Sequence, residues 1–341
     1  MMDPNAPPPM PPPPTPYSPP VAPQPPRKGM GAGLILALGC FGFMALGFAG
    51  IVILAALGSG EGGASAGSID DKSVLRMKLG GPIPEYVRQT GFDELFGGSP
   101  TTVRQHVFNL EKAAKDERIK GVLLELEPLE GTGWAKVEEL RDALNTFKKS
   151  GKFVVAFSEY LGEKEYALAL SADTIIMPQD SWFEFNGFAT DIAHYPGLLE
   201  KLGIEVQYFR YGKYKSVSGE QTGRKEFTEP VKEMIRENLN VAFEHFVTAV
   251  ADARKLDKGR VKELIEEGRT KSDWAAEQKL IDQLGYWDEV ETLLRTRLAI
   301  TDAREKLHFV SAGRYKNVSP SEAGLEDGKH HFALIYSSGL I

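Results

Sequence analysis

The sequence predicts an α/β protein with a mainly parallel sheet, preceded by a single transmembrane helix and a disordered tail. Three observations lead to this fold class. Short apolar runs that are typical of strands alternate with amphipathic helical patterns over residues 73–210. Residues 34–57 contain no charged side chain. Residues 1–28 hold 14 of the 22 prolines, so they lack the apolar side chains that a core requires.

The proline-rich residues 1–28 are expected to be extended, with runs such as "PPPMPPPPTP". A spacer is the simplest interpretation of this composition. A ligand for a proline-recognising domain is the alternative, because such domains bind extended proline runs.

Residues 29–58 are predicted to form the transmembrane helix. The uncharged run over 34–57 would span about 36 Å as a helix, more than the roughly 30 Å of a bilayer core. A cleavable signal peptide is the competing interpretation, since "ASA" at 64–66 is typical of a cleavage site. The apolar core of a signal peptide has only about 7–15 residues, which favours an uncleaved anchor.

The charges that flank this run predict its orientation. Arg27 and Lys28 precede it, whereas Glu61, Asp70 and Asp71 follow it. Because positive flanks remain in the cytoplasm, we expect a single-pass protein of the cell membrane with a cytoplasmic N-terminus. The folded part would then lie on the outer, periplasmic side.

Composition excludes several classes of function. The net charge of −7 and a pI near 5.6 argue against a nucleic-acid partner. A single cysteine, Cys40, allows neither an intrachain disulfide nor a cysteine metal cluster. The six histidines are scattered, and no glycine-rich nucleotide-binding loop follows a predicted strand. We therefore predict neither a cofactor nor a metal site.

A Gly/Ala/Ser-rich linker, residues 59–72, leads into the predicted folded region, residues 73–328. In the folded region, stretches in which apolar residues recur every two positions alternate with stretches in which they recur every 3.6 positions, which is typical of βα units. The predicted strands are 74–79, 121–127, 152–158, 174–178 and 204–210, and the predicted helices are 102–115, 134–149, 163–172, 195–202 and a long helix capped by Thr228.

The segment "YGKYKSVSG", residues 211–219, lies between the last of these strands and the long helix. Its lysines, Lys213 and Lys215, would ordinarily be solvated side chains of a turn. A lysine can instead act as a base if desolvation brings its pKa from about 10.4 towards 7–8. Tyr208, Tyr214 and Val217 could supply that desolvation, so both interpretations remain open on residue type alone.

Four segments together resemble one family. "YGKYKSVSGEQTGRKEFTEP" is similar to the lysine segment G-x-Y-K-S-A of signal peptide peptidase A, also called protease IV, with Val217 in place of the usual alanine. "DERIKGVLLELE", "YALALSADTIIMPQ" and "AAEQKLIDQLGYWDE" resemble three further motifs of that family in the same order. The resemblance runs from about residue 69 to the end of the chain.

The resemblance implies a crotonase/ClpP-like spiral of ββα units, a membrane anchor and a ring-like homo-oligomer. It also implies a serine peptidase with a Ser/Lys dyad, acting on residual signal peptides and other short apolar peptides. Lys215, rather than Lys213, then carries the role of general base.

The serine motif of single-domain relatives is not matched. Aligning Tyr166 with the tyrosine of A-[AS]-S-G-G-Y places Glu163 at the position of the nucleophile. The S-P-G-G turn, which supplies an oxyanion donor in those relatives, is replaced by "EPLEGTGW". A carboxylate cannot replace the serine in acyl transfer. Ser158 and Ser171 are nearby but out of register.

Large two-domain relatives carry the lysine in one half and the serine in the other. Residues 329–341, "KHHFALIYSSGLI", resemble the first strand of such a second half. We therefore expect a chain truncated before its nucleophile and inactive alone. Two alternatives stay open: a non-catalytic crotonase-like scaffold that binds peptides or partners, and an acyl-CoA enzyme of the crotonase fold, which the anchor disfavours.

Overall fold

A six-stranded parallel sheet organises the protein. The computed structural model describes residues 68–87, 100–326, 328, 330 and 332–337 of the 341-residue chain. The sheet order is β7-β5-β3-β2-β1-β8, and a second, two-stranded parallel sheet pairs β4 with β6. The strands are β1 Ser73–Leu79, β2 Ile119–Leu126, β3 Phe153–Phe157, β4 Tyr160–Leu161, β5 Thr174–Met177, β6 Trp182–Phe183, β7 Gln283–Leu284 and β8 Phe309–Ser311.

Helices connect the strands, as parallel pairing requires. Local sequence signals set several of their ends. Thr102 caps α1 through a capping box, in which its hydroxyl accepts from the Gln105 amide and the Gln105 side chain accepts from the Thr102 amide. The helices are α1 Val103–Lys115, α2 Trp134–Lys148, α3 Glu163–Ala169, α4 Pro196–Lys201, α5 Val217–Gly223, α6 Glu229–Arg254, α7 Lys258–Glu266, α8 Ser272–Glu277, α9 Trp287–Arg297 and α10 Ala312–Tyr315.

Both faces of the six-stranded sheet are buried. Because side chains alternate along a strand, neighbouring residues of β1 face opposite ways. Leu75 and Met77 belong to the larger core, which also takes residues from α1, α2, α3 and the C-terminal half of α6. Val74 belongs to a smaller core with Val290 and Leu294 of α9. This burial on both faces explains the nearly continuous apolar runs of the central strands.

We call the two cores and the helices and strands around them the body. One region of the described chain differs sharply from it. We call residues 189–242 the arm; it contains α4, α5 and the N-terminal half of α6. Only Ser216, Glu220, Phe227 and Val231 are buried among its residues. Large apolar side chains of the arm face solvent, among them Leu202, Phe209 and Tyr211.

The predicted parallel α/β sheet is confirmed, whereas the predicted strand over 204–210 is wrong. Within the described part of the chain these residues form no strand and pair with no other segment. The alternation that suggested a strand does put Tyr208 against α5, where an added Cβ at Gly219 would lie 2.4 Å from its ring. Ile204 and Phe209 nevertheless remain exposed, so alternation here reflects contact with one short helix rather than a sheet.

Two other predictions concern helix length and the end of the chain. The helix predicted over 163–172 ends at Ala169, and tighter backbone bonds at Ser171 and Ala172 close the turn before β5. Residues 332–337 adopt no regular secondary structure, and Phe332 is almost fully exposed. A second domain that would begin here stays a prediction.

The predicted tail, the transmembrane helix and most of the linker lie outside the described residues. Within the part of the chain that the structure describes, no helix combines the length and apolar character needed to cross a bilayer.

Candidate active site

The lysine turn, residues 211–219, precedes and enters α5. Gly212 has a φ of +97°, a backbone conformation that strongly favours glycine, and this accounts for a glycine at that point of the turn. Lys215 is exposed. Its ammonium makes no ion pair or hydrogen bond with any described residue. The turn therefore presents this amine to whatever approaches the arm.

Lys213 is held in a different way. Its ammonium lies 2.9 Å from Oε2 of Glu233 on α6 and donates to the Tyr214 hydroxyl at 2.8 Å. These hydrogen bonds, that of Glu233 first, raise the pKa of Lys213 above its usual range. Lys213 remains solvent-exposed, as expected of a lysine in a turn, and it also has a carboxylate partner. A raised pKa disfavours the neutral amine that a general base requires.

The aromatic residues that could have desolvated Lys215 are engaged elsewhere. Tyr208 covers Gly219 and Gly223 of α5. The Tyr214 ring lies 4.7 Å from the ammonium of Lys213, and its hydroxyl accepts from the same group. The arm alone therefore does not bury the Lys215 amine.

Carboxylates fill the region where the sequence comparison expected a serine. We call Leu129, Glu163 and Glu165 the carboxylate site. Glu163 is the first residue of α3, and its Oε1 accepts from the amides of Asn186 at 3.2 Å and Gly187 at 3.1 Å. Burial raises the pKa of Glu163 against the opposing effect of these amide bonds. The side chain is thus tied to backbone and offers no nucleophile for acyl transfer.

Glu165 contacts the loop that replaces the S-P-G-G turn. It is buried, and its Oε1 accepts a short hydrogen bond from the Leu129 amide. Its Oε2 accepts from the Gly162 amide at 3.1 Å, which closes the N-terminus of α3. The Leu129 amide lies in the loop from which an oxyanion donor would come, and the protein's own carboxylate already uses it.

The nearby serine hydroxyls are structural. The Ser158 hydroxyl is buried, lies 2.7 Å from the Leu126 carbonyl and accepts from the Tyr160 amide at 3.1 Å. Ser171 is also buried, with its hydroxyl 3.5 Å from the Arg141 carbonyl. Neither hydroxyl is hydrogen-bonded to a lysine amine of the described residues.

Comparison with known proteins gives the same family as the motifs. Residues 146–301 match peptidase family S49. The chain is 35% identical over 269 residues to the chloroplastic serine protease SPPA of Arabidopsis thaliana, and 27% identical over 233 residues to the putative signal peptide peptidase SppA of Enterococcus faecium. It is 25% identical over 261 residues to protease 4 of Salmonella typhi. The signal peptide peptidase A family is confirmed.

The extent of these matches differs between relatives. They cover 79%, 68% and 73% of this chain, in the order given above. They cover 38% of the Arabidopsis protein, 66% of the Enterococcus protein and 41% of the Salmonella protein. This chain therefore spans well under half the length of two of the three.

The S49 motifs have clear structural roles in this chain. Strands β5 and β7 each lie within one of the motifs, and they pair side by side. Asp282 accepts from the Ile175 amide at 2.7 Å and from Arg254 of α6 at 2.8 Å. The fully buried Tyr166 donates its hydroxyl to the Leu280 carbonyl at 2.6 Å. These contacts tie α3, α6 and the sheet together, so the motifs fix the body on which the lysine arm is mounted.

Two buried carboxylates, Glu165 and Glu220, were not predicted from the sequence. Glu165 stands three residues after Gly162, the spacing of a capping box, and that signal could have placed it at the helix N-terminus. Glu220, in the arm, has no comparable signal. Ser216 stands four residues before it, at helical spacing, but the bonds to Thr228 span eight residues and two helices, which no local pattern describes.

Proposed function

We propose that this chain is the lysine-bearing half of a membrane-anchored serine peptidase with a Ser/Lys dyad, acting on residual signal peptides and other short apolar peptides. The S49 match and the names of the relatives support peptide-bond hydrolysis. The observation that carries the choice of base is the exposed Lys215 amine, which has no partner among the described residues. Its neighbour Lys213 is held by Glu233.

In this mechanism a neutral lysine amine takes the proton of a serine hydroxyl while the serine oxygen attacks the substrate carbonyl. The same amine then returns the proton to the leaving amine, and backbone amides stabilise the oxyanion. Desolvation favours the neutral amine. Because Lys215 is exposed, the surface that desolvates it and the serine itself would come from a second domain or another copy of the chain.

The repeating units of the body support the proposed spiral fold. Strands β3 and β4 followed by α3 form one ββα unit. The next two strands repeat the pattern, since β5 pairs in parallel with β3 while β6 pairs in parallel with β4. Each unit thus adds one strand to each sheet, which is how a crotonase/ClpP-like spiral grows.

The proposal includes assembly and location. The exposed apolar side chains of the arm, such as Phe209 and Tyr211, favour burial against a partner surface and hence a homo-oligomer. Residues 29–58 would anchor the protein in the membrane, with the tail in the cytoplasm and the peptidase domain on the outer side.

A non-catalytic scaffold is the second candidate. The observation in its favour is the carboxylate site, where Glu163 stands at the nucleophile position and Glu165 uses the Leu129 amide. A protein that binds peptides without cleaving them needs neither a nucleophile nor a free oxyanion donor, so this arrangement would be compatible with its function.

Peptide hydrolysis by the full-length gene product separates the two. Lys215→Ala and Lys215→Arg should both abolish turnover, since a guanidinium stays charged and cannot accept the proton. Lys213→Ala, the matched control from the same turn, should keep most activity. Full activity in Lys215→Ala would exclude the dyad, and a gene product without any hydrolysis would favour the scaffold.

A further inference from the structure

Glu220 makes three hydrogen bonds inside an arm that buries almost nothing else. Its side chain is about 1% exposed. Oε1 accepts from the Ser216 hydroxyl at 2.6 Å and from the Thr228 hydroxyl at 2.8 Å, and Oε2 accepts from the Thr228 amide at 2.7 Å. A buried carboxylate is costly unless it is bonded in this way.

The partners of Glu220 lie at the two places that matter most for the position of Lys215. Ser216 is the next residue in the chain and the N-terminal boundary residue of α5. Thr228 is the boundary residue at the start of the 26-residue helix α6. One carboxylate therefore connects the side chain of the residue next to the lysine to the helix whose C-terminal half is buried in the body.

Electrostatics favour a carboxylate at this point. The N-terminus of α6 carries the positive end of the helix dipole, which stabilises negative charge. Burial by itself would raise the pKa of Glu220, but the hydrogen bonds from Ser216 and Thr228 outweigh it, and the pKa lies below its usual range. The group is thus ionised at neutral pH.

The hydrogen-bond partners of Glu220 do not include the Lys215 amine. Its oxygens bond Ser216 and Thr228, and among the described residues Lys215 has no ion pair. An ion pair to a carboxylate would favour the charged ammonium and oppose its use as a base. The arrangement fixes the backbone of Lys215 while leaving its amine available.

Other contacts within the arm also hold helix α5 in place. Tyr208 packs on Gly219 and Gly223 of α5. The amide of Tyr195 donates to the Gln221 carbonyl at 3.0 Å, and His194 bonds the Arg224 carbonyl at 2.8 Å. These contacts hold helix α5, with Glu220 at its centre.

We infer that Glu220 is a positioning residue for Lys215, acting through Ser216 and Thr228 to hold the lysine turn against the start of α6. The inference rests on the proposed function. Glu220 transfers no proton; it sets where the backbone presents the amine. A displacement of about 1 Å in a catalytic group can cost on the order of a hundredfold in rate.

Kinetics of the full-length gene product test this role. Glu220→Gln keeps the size of the side chain but replaces one acceptor oxygen by a donor facing Thr228 or Ser216. We expect kcat to fall by about tenfold to a hundredfold, which is the rate loss expected when a catalytic group shifts by up to about 1 Å. KM should stay within about twofold of wild type. The apparent pKa values of the pH–rate profile should not move. Glu226→Gln, an exposed glutamate in the same arm, should behave as wild type.

Hydrogen exchange provides a readout that does not depend on activity. In Glu220→Gln the Thr228 amide should exchange faster while the urea midpoint of global unfolding stays unchanged, because the arm contributes little to the core. Ser216→Ala removes one bond without touching the carboxylate and should lower kcat by a smaller factor.

The possible outcomes separate the positioning role from the proposed function. Activity that survives in Lys215→Ala would refute the proposed function. Loss of activity in Lys215→Ala together with full activity in Glu220→Gln would refute only the positioning role. The positioning role would also be refuted if Glu220→Gln lowered kcat only through global unfolding while Ser216→Ala stayed fully active.

Discussion

The carboxylate site stands at the position that the motif alignment gives to the nucleophile, and the lysine turn carries the proposed base. The chain builds these two regions in opposite ways. In the body, Glu163 and Glu165 both accept hydrogen bonds from backbone amides; Glu165 is buried and Glu163 partly buried. In the arm, Lys215 is exposed and only the backbone around it is fixed. Under the proposed mechanism, the carboxylate site would serve the stability of the body, whereas the arm would present an amine that an outside surface has to complete.

The largest contrast should be found in stability, with one phenylalanine taken from each region. Phe246 is buried among Trp134, Tyr166 and Phe185, whereas Phe209 is about 97% exposed. Phe246→Ala should lower the free energy of unfolding by about 3–5 kcal/mol, and Phe209→Ala by less than about 0.5 kcal/mol. Urea-induced unfolding measures both. Similar losses for the two variants would mean that the arm is packed as tightly as the body.

Folding stability should also depend on pH through the body. Burial lowers the pKa of His106 to about 4, from about 6.5 in the unfolded chain. The unfolded state therefore binds the proton first, and stability is highest above pH 6.5 and falls as the pH drops towards 4. The total loss is about 3 kcal/mol, at about 1.4 kcal/mol per pH unit.

Urea unfolding between pH 7 and pH 4.5 checks this linkage. His106→Leu should flatten the dependence, and His245→Leu, an exposed histidine of α6, should leave it unchanged. Arg76 and Lys78 line the same cavity as His106 and stay charged throughout this range, so they do not contribute to the slope. A slope that is identical in wild type and His106→Leu would contradict the assignment.

A smaller effect is expected at the carboxylate site. Glu165→Ala leaves the amides of Leu129 and Gly162 without their acceptor, which should cost about 1–3 kcal/mol of unfolding free energy. Glu130→Ala, an exposed glutamate of the same loop, should stay within about 0.5 kcal/mol of wild type. If Glu165→Ala were neutral, the carboxylate would not be the group that holds the loop.

Much of the body could be predicted from the sequence because its signals are local or periodic. Strand β1 follows from alternation and helix α1 from helical spacing. The predicted strand over 204–210 failed because alternation records which side chains are covered, not what covers them. Pairing of a strand with its neighbour is a tertiary property.

The candidate site was predictable only in part for a similar reason. Lys215 could be selected through a motif that resembles a known family. The partner of Lys213, on α6, lies 20 residues away, and the bonds of Glu220 reach forward to Thr228 and back to Ser216. Such contacts depend on how the arm folds over itself, which no window of a few residues specifies.

Covalent labelling would show whether an outside serine depends on the lysine of the arm. A fluorophosphonate that reacts with activated serines would be applied to the full-length gene product, and the labelled residue identified by peptide mass spectrometry. We expect a label on a serine other than Ser158, Ser171 and Ser216, and its loss in Lys215→Ala but not in Lys213→Ala. A label on any of those three serines, or labelling that persists without Lys215, would rule out a nucleophile that is supplied from outside this body and activated by the arm.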